Sequence, residues 1–463
     1  MTTDTAPDTG TARWARLGAA LSAGAEVAVD LKTRASAATD RSGWIPTGLP
    51  DAVVRVATVA DVQEVLRSAT ATRTPVVTRG GGTGLAGGAV AVAGSLVLDV
   101  SGLTRIVEIR PDDAVAVVEP GVLTADLDRA VRAYGLRYAP DPASAAISTI
   151  GGNIATNAGG LRCVKYGVTR DAVLALDVVL ADGTLLHTGQ ATVKGVTGYD
   201  LTSLLVGSEG TLGVVVGATL RLTALPATVA TATAFFDDLD AAADATLAVT
   251  RAGARPATLE LIDGATLAAI DAAQGSDLAG RGQAFVLVQT DGFAAEAELA
   301  AAAAELRRLG GAVTVTTDAD EAERLVATRR LALPSIERLG RVLIEDIAVP
   351  RSRLAEAVRG VAAVAASTGV QIFTFAHAGD GNLHPIIAVR SEDPEHLAAV
   401  ERAADSVFAL ALRLGGTVSG EHGVGLLKRG WLDAELGPRS RELQRGIKAV
   451  FDPLNLLNPG KAV

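Results

Sequence analysis

The stretch 79-RGGGTGLAGG-88 puts six glycines into ten residues, directly after a short apolar run, 76-VVT-78. It carries a G-x-G-x-x-G match at Gly82, Gly84 and Gly87. In a dinucleotide-binding turn that pattern follows a strand and opens a helix, so that a pyrophosphate meets the helix N-terminus. Here the run leads instead into AVAVAGSLVLDV, which has strand character. Consecutive glycine amides can still point inward and form an anion nest without a helix behind them. Six glycines after a buried strand favour that nest over a plain surface turn.

Two more glycine segments lie in the first half, 148-STIGGNIATNAGG-160 and 207-GSEGTLG-213. Three such loops suggest a long cofactor threaded between backbone segments. Around them, strand and helix patterns alternate from Val53 onward. Thr58 with Asp61 forms a capping pair for a helix carrying Val62, Val65, Leu66 and Ala69 on one face. Strands are expected at 95–100, 114–120, 172–183 and 212–223. Near Leu225-Pro226 the texture changes to Ala-rich helices, at 294–309 and 353–367, with strands at 284–290 and 342–349 between them. A domain boundary is placed there. A further helix runs over 394–414, with Asp393 as N-cap, Pro394 as first residue and Gly415 as stop. The first thirty residues are polar and Ala/Gly-rich and read as loosely held.

Composition narrows the function classes. The chain has 463 residues and a net charge of −10, a poor match for nucleic acid. Its one cysteine, Cys163, excludes an intrachain disulfide and an all-cysteine metal site, and fits a reducing cytoplasm. The N-terminus MTTDTAPDTGTARWARL lacks a signal pattern. No window reaches ~18 uninterrupted apolar residues, so no membrane span is expected. A cytoplasmic location is expected, free or peripheral to the inner face of the membrane.

RGGGTGLAGG, then PDPASAAISTIGGNIATNAGGLRCVKYGVTRD, then GYDLTSLLVGSEGTLGVV resembles the FAD domain of the vanillyl-alcohol oxidase/PCMH flavoprotein superfamily. In detail it is similar to the branch of D-lactate dehydrogenase, the glycolate oxidase flavin subunit and D-2-hydroxyglutarate dehydrogenase, from about Val53 to the C-terminus. The resemblance implies an α+β protein. Its parts would be an N-terminal extension (1–45), a PCMH-type FAD-binding domain of two α/β subdomains (46–225), a substrate-binding cap with an antiparallel sheet covered by helices (226–440), and a tail returning to the FAD domain (441–463). It further implies that Arg79, Gly80, Gly81, Gly82, Thr83 and Gly84 surround the FAD pyrophosphate. Asp141, Gly152, Asn157, Gly159, Gly160, Glu209, Val214 and Asn458 would line the rest. The glycine loop holds no histidine, so the FAD is expected to be non-covalent.

The stretch 371-QIFTFAHAGDGNLHPIIAV-389 reads as a β-hairpin. A tight turn centred on Asp380-Gly381 sets His377 directly opposite His384, on one face and ~5 Å apart. Two imidazoles so placed can meet one metal ion. The loop 415-GGTVSGEHGVG-425 offers Glu421 and His422 as further groups, and two histidines plus a carboxylate is a catalytic zinc arrangement. The resemblance assigns His377, His384 and Glu421 as ligands and His422 as the base. The ion is expected to be Zn²⁺, with Fe²⁺ or Mn²⁺ as alternatives. His187 and His396 read as surface residues.

The expected reaction is oxidation of a small D-2-hydroxy acid to the 2-oxo acid, with Arg330 as the substrate-carboxylate clamp and Arg329 as runner-up. The 2-hydroxyglutarate enzymes of the family imply a lysine two residues before the Asp of 345-EDIAVP-350; here that residue is Ile344. D-lactate or glycolate is therefore favoured over a dicarboxylate. The electron acceptor is open among a quinone, a cytochrome, an electron-transfer flavoprotein and an iron–sulfur subunit. A homodimer is also open.

Overall fold

The structure is a computed structural model and describes residues 9–462. The chain forms two compact units. The first contains residues up to Ala158, Val168–Leu225 and Glu421 onward; the second contains Gly159–Gly167 and Pro226–Gly420.

The first unit has two main sheets, each with its own apolar core, and a short antiparallel pair, Leu136–Arg137 with Thr223–Ala224. One has four strands in the order Glu26–Ala28, Ala52–Arg55, Leu96–Asp99, Val76–Arg79, and its last three are parallel. Helix Val59–Thr72 makes a crossover between them. It starts at Thr58, whose hydroxyl accepts from the Asp61 amide while Asp61 reaches back to the Thr58 amide, and it ends at Arg73 in the left-handed region. Val62, Val65, Leu66 and Ala69 are its buried face. The other sheet has five strands, Ile106–Arg110, Val115–Val118, Val214–Arg221, Val173–Val179 and Leu185–Gly189, all antiparallel.

Two expectations change here. The N-terminal segment is not loosely held: Thr9–Ala20 is a helix, and Trp14 and Leu17 pack into the core with Val54 and Leu66. Two large apolar residues three apart suffice to anchor a helix that otherwise shows no stripe. Asp61 also accepts from the Ser22 amide and hydroxyl. The reading of MTTDTAPD at the terminus falls outside the described residues. Secondly, the chain rejoins the first unit at Glu421, not at 441.

The second unit is an antiparallel sheet. Its order is Ala312–Thr316, Val229–Phe236, Ala284–Asp291, Thr258–Asp263, Ile372–His377, Asn382–Val389, Arg341–Ile344, and Ile347–Ala348 also pairs with Asn382–Val389. The central hairpin strands are buried along their whole length, which explains their almost unbroken apolar sequence. Helix Pro394–Arg413 starts at Asp393 with Pro394 in its first turn, and buries Val400, Ala404, Val407 and Ala411. The strand expected over 342–349 breaks at Glu345-Asp346, both buried: the Glu345 amide still donates to the Pro385 carbonyl, while the Asp346 carboxylate turns to Asn382 and Ser419. Among the described residues, no helix is long and apolar enough to cross a membrane.

Candidate active site

In the first unit, strand Val76–Arg79 delivers the glycine loop. A Cβ on Gly80 would come within 2.4 Å of Thr149 Oγ1, and one on Gly81 within 2.5 Å of the Ile147 carbonyl oxygen. The loop backbone therefore lies directly against residues 147–149, an approach only glycine allows. Gly82 has φ +64°, and a Cβ there would strike the Arg79 guanidinium. Among the described residues, the peptide N–H groups of residues 80–84 donate to no protein acceptor. Consecutive backbone donors of this kind suit a pyrophosphate. Gly152 adjoins Gly80, and Asn157 closes the short helix Ile150–Thr156 in the left-handed region.

The loop is braced on two further sides, by residues 39–41, whose role the sequence did not reveal, and by the C-terminal tail, whose return to this domain was expected. Arg79 Nη1 donates to the Thr39 carbonyl (2.6 Å), the Arg41 amide to Gly84 O (3.0 Å) and the Ala89 amide to Asp40 Oδ2 (3.2 Å). Residues expected to belong to an N-terminal extension thus support the cofactor loop. From the other end of the chain, Asn458 Nδ2 donates to Gly88 O (3.0 Å) and Glu209 O (2.6 Å). Lys461 Nζ donates to Gly88 O, Val90 O and Asn458 Oδ1. Burial pushes the Lys461 ammonium down to about 8, against the pull of Asp40 and Glu209.

Several residues expected to line the cofactor have other tasks. Asn458 is a staple between loops. Val214 points its side chain into the first core. The Glu209 carboxylate accepts from the Val424 amide (2.7 Å) and the Gly425 amide (2.8 Å), and burial pushes its carboxyl up while these amides pull it down. Asp141 sits partly buried in a loop, and Gly159 and Gly160 group with the second unit. Glu421 and His422 stand half-buried at the start of the turn that Glu209 holds.

In the second unit the hairpin forms with a different register. His377 pairs with Asn382 and His384 with Phe375, because four residues, Ala378–Gly381, make the connection instead of a two-residue turn. The displacement is two residues, which keeps both histidines on one face. Their ring centroids are 5.1 Å apart and nearly perpendicular, and a ring nitrogen of each lies within 4.8 Å of the other. His377 Nδ1 is 2.8 Å from Glu260 Oε1, and Arg329 Nε donates to Glu260 Oε2 at 2.6 Å. All three are buried, with the Arg329 guanidinium 4.2 Å above the Phe375 ring. Glu260 thus fixes the orientation of the His377 ring through Nδ1. Asp346 accepts from Asn382 Nδ2 (2.7 Å) and Ser419 Oγ (3.1 Å). Gly420 packs so closely on Asn382 that a Cβ would lie 2.1 Å from its Nδ2, and Glu421 is the next residue. Two imidazoles on one hairpin face are donors suited to a divalent ion such as Zn²⁺.

Arg330 does not join this cluster. Its side chain is 54% exposed and pairs with Glu323 at 2.5 Å. Consecutive helical residues point about 100° apart, so only one of the Arg329-Arg330 doublet can face the sheet; it is Arg329. Glu260 was missed, although a lone acid in the apolar strand 258-TLELID-263 was its signal. Ile344 packs on the core of this unit. His187 is exposed beside Asp177, and His396 Nε2 accepts from the Arg390 amide.

Residues 225–462 match the family of FAD linked oxidases, C-terminal domain, and residues 50–189 match an FAD binding domain. The chain belongs to the FAD-linked oxidase family. It is an FAD-linked oxidoreductase, and the segment that matches the FAD binding domain contains the glycine loop described above. The chain is 42% identical to the glycolate oxidase subunit GlcD of Bacillus subtilis, covering 89% of each. It is 38% identical to the D-lactate dehydrogenase of Archaeoglobus fulgidus, covering 89% of this chain and 91% of that one. Its fold is that of p-cresol methylhydroxylase (TM-score 0.78, 18% identity, covering 98% of this chain and 96% of the other). It also matches alkyldihydroxyacetonephosphate synthase (TM-score 0.74, 18% identity, 97% and 85%).

Proposed function

We propose that the protein oxidises a small D-2-hydroxy acid, D-lactate or glycolate, to the 2-oxo acid, with non-covalent FAD as hydride acceptor and a divalent ion held by His377, His384 and Glu421. The observation that carries this reading is the buried histidine pair on one hairpin face, with Glu260 fixing one ring. Relatives named as a glycolate oxidase subunit and as D-lactate dehydrogenase support the substrate class.

When bound, FAD takes up the hydride from the substrate Cα, and the ion lowers the pKa of the substrate hydroxyl. The chain's own residues do the rest. His422 is the base to which we assign the hydroxyl proton, a task suited to an imidazole. Glu260 holds His377 by Nδ1 and so fixes the orientation of a ring that would serve as a metal ligand. Arg329 binds Glu260 through Nε, and its Nη hydrogens are the donors we assign to the substrate carboxylate, replacing Arg330. The apolar Ile344 provides no partner for a second carboxylate, which favours monocarboxylates over 2-hydroxyglutarate. The amides of residues 80–84 receive the pyrophosphate, and Asp141, Gly152, Asn157, Gly159 and Gly160 complete the FAD site.

A second reading has a specific basis: the Bacillus subtilis relative is named as a subunit. In it the chain passes electrons to an iron–sulfur partner. A dye-linked screen of D- and L-2-hydroxy acids with the purified chain tests both. The first reading expects dye reduction with D-lactate or glycolate by the chain alone. Turnover that appears only when a partner is added supports the second, and no turnover with any 2-hydroxy acid under either condition removes both.

A further inference from the structure

We propose that the Glu209 carboxylate is a positioning group for the Glu421-His422 turn and not a contact to the cofactor. This rests on the roles given to those two residues above. Glu209 has φ +51°, a conformation a non-glycine residue keeps only when its surroundings fix it. They do: its amide donates to Ala155 O at 2.8 Å, and its carbonyl accepts from Asn458 Nδ2 at 2.6 Å. That backbone turns the side chain inward, where Oε1 takes the Val424 amide and Oε2 the Gly425 amide. Charge-assisted bonds of this kind are stronger than neutral ones.

The turn fits around the carboxylate with no slack. A Cβ on Gly423, itself at φ +83°, would sit 2.9 Å from Glu209 Oε1. A Cβ on Gly425 would lie 2.0 Å from Ala86 O, and the Leu426 amide donates to that same oxygen at 2.8 Å. Residues 423–426 are thus clamped between a buried carboxylate and the glycine loop. His422 is the residue before the clamp. Charge points the same way: a carboxylate beside a pyrophosphate would oppose cofactor binding, whereas one that faces two peptide N–H groups is matched.

Glu209→Gln tests this. The amide keeps the shape and one acceptor oxygen but sets an NH₂ against a peptide N–H. In the purified holoenzyme, FAD per chain is expected to stay at the wild-type value. Peptides covering 421–427 should exchange their amide hydrogens at least about tenfold faster. Flavin reduction at saturating D-lactate or glycolate should slow by roughly 10- to 100-fold, the scale of a displaced reacting group, with a smaller change in half-saturation. Gly423→Ala should give the same defects, and the double variant should be no worse than the more affected single one, because both act on one clamp. Loss of FAD from Glu209→Gln on dialysis would make the carboxylate a cofactor contact and overturn the proposal. Unchanged exchange of 421–427 would overturn it too. If wild-type flavin is reduced by no 2-hydroxy acid, the functional reading falls, and the exchange result alone decides the clamp.

Discussion

His422→Ala is expected to retain both FAD and metal and to reduce its flavin ~10²–10⁴ times more slowly at saturating substrate, the usual cost of removing a general base. The residue stands at the head of a turn whose later residues, Val424 and Gly425, are fixed by Glu209. Removing the imidazole therefore leaves the backbone in place. Stopped-flow reduction with elemental analysis separates this from the neighbouring position. Glu421→Gln loses an anionic ligand and should lose metal; His422→Ala loses only a proton acceptor. Reduction of His422→Ala at the wild-type rate, or loss of its metal, would reverse the two assignments.

The second large effect concerns the hairpin. His377→Ala and His384→Ala should purify yellow but without metal, and without turnover, because both residues belong to the second unit and the pyrophosphate nest to the first. Glu260→Gln is the graded version. It leaves both imidazoles in place and weakens the hold on His377 Nδ1, so metal affinity measured by chelator competition should fall by about 10- to 100-fold. Arg329, which loses its buried carboxylate partner in that variant, sharpens the effect: a buried cation without its counter-charge is costly. Full metal content in either histidine variant would refute the ligand set.

What was legible in the sequence depended on range. Elements with a local cause were readable: the Thr58–Asp61 capping box, the Pro394 start and Gly415 stop, and the glycine loop. The two histidines were correctly placed on one face although the register was off by two. Side chains alternate with period two, so that error is invisible to the face assignment. Features set by long-range partners were not readable. The family resemblance assigns Glu209 and Asn458 to the cofactor; what the sequence does not announce is that their side chains also bond to residues more than two hundred positions away. The Arg329-Arg330 doublet offered two equivalent candidates until the helix phase was fixed. Trp14 and Leu17 anchor the N-terminal helix through a core that no local pattern announces.

The central claim, a metal-assisted oxidation of a D-2-hydroxy acid by the bound flavin, is tested most directly by anaerobic mixing of the purified protein with D-lactate, L-lactate and glycolate, before and after treatment with a chelator, while the flavin absorbance is followed. The account predicts bleaching by D-lactate or glycolate but not by L-lactate, loss of that bleaching once the metal is removed, and its return when Zn²⁺ or another divalent ion is restored. Bleaching that is indifferent to the metal, or absent with all three acids, would contradict it.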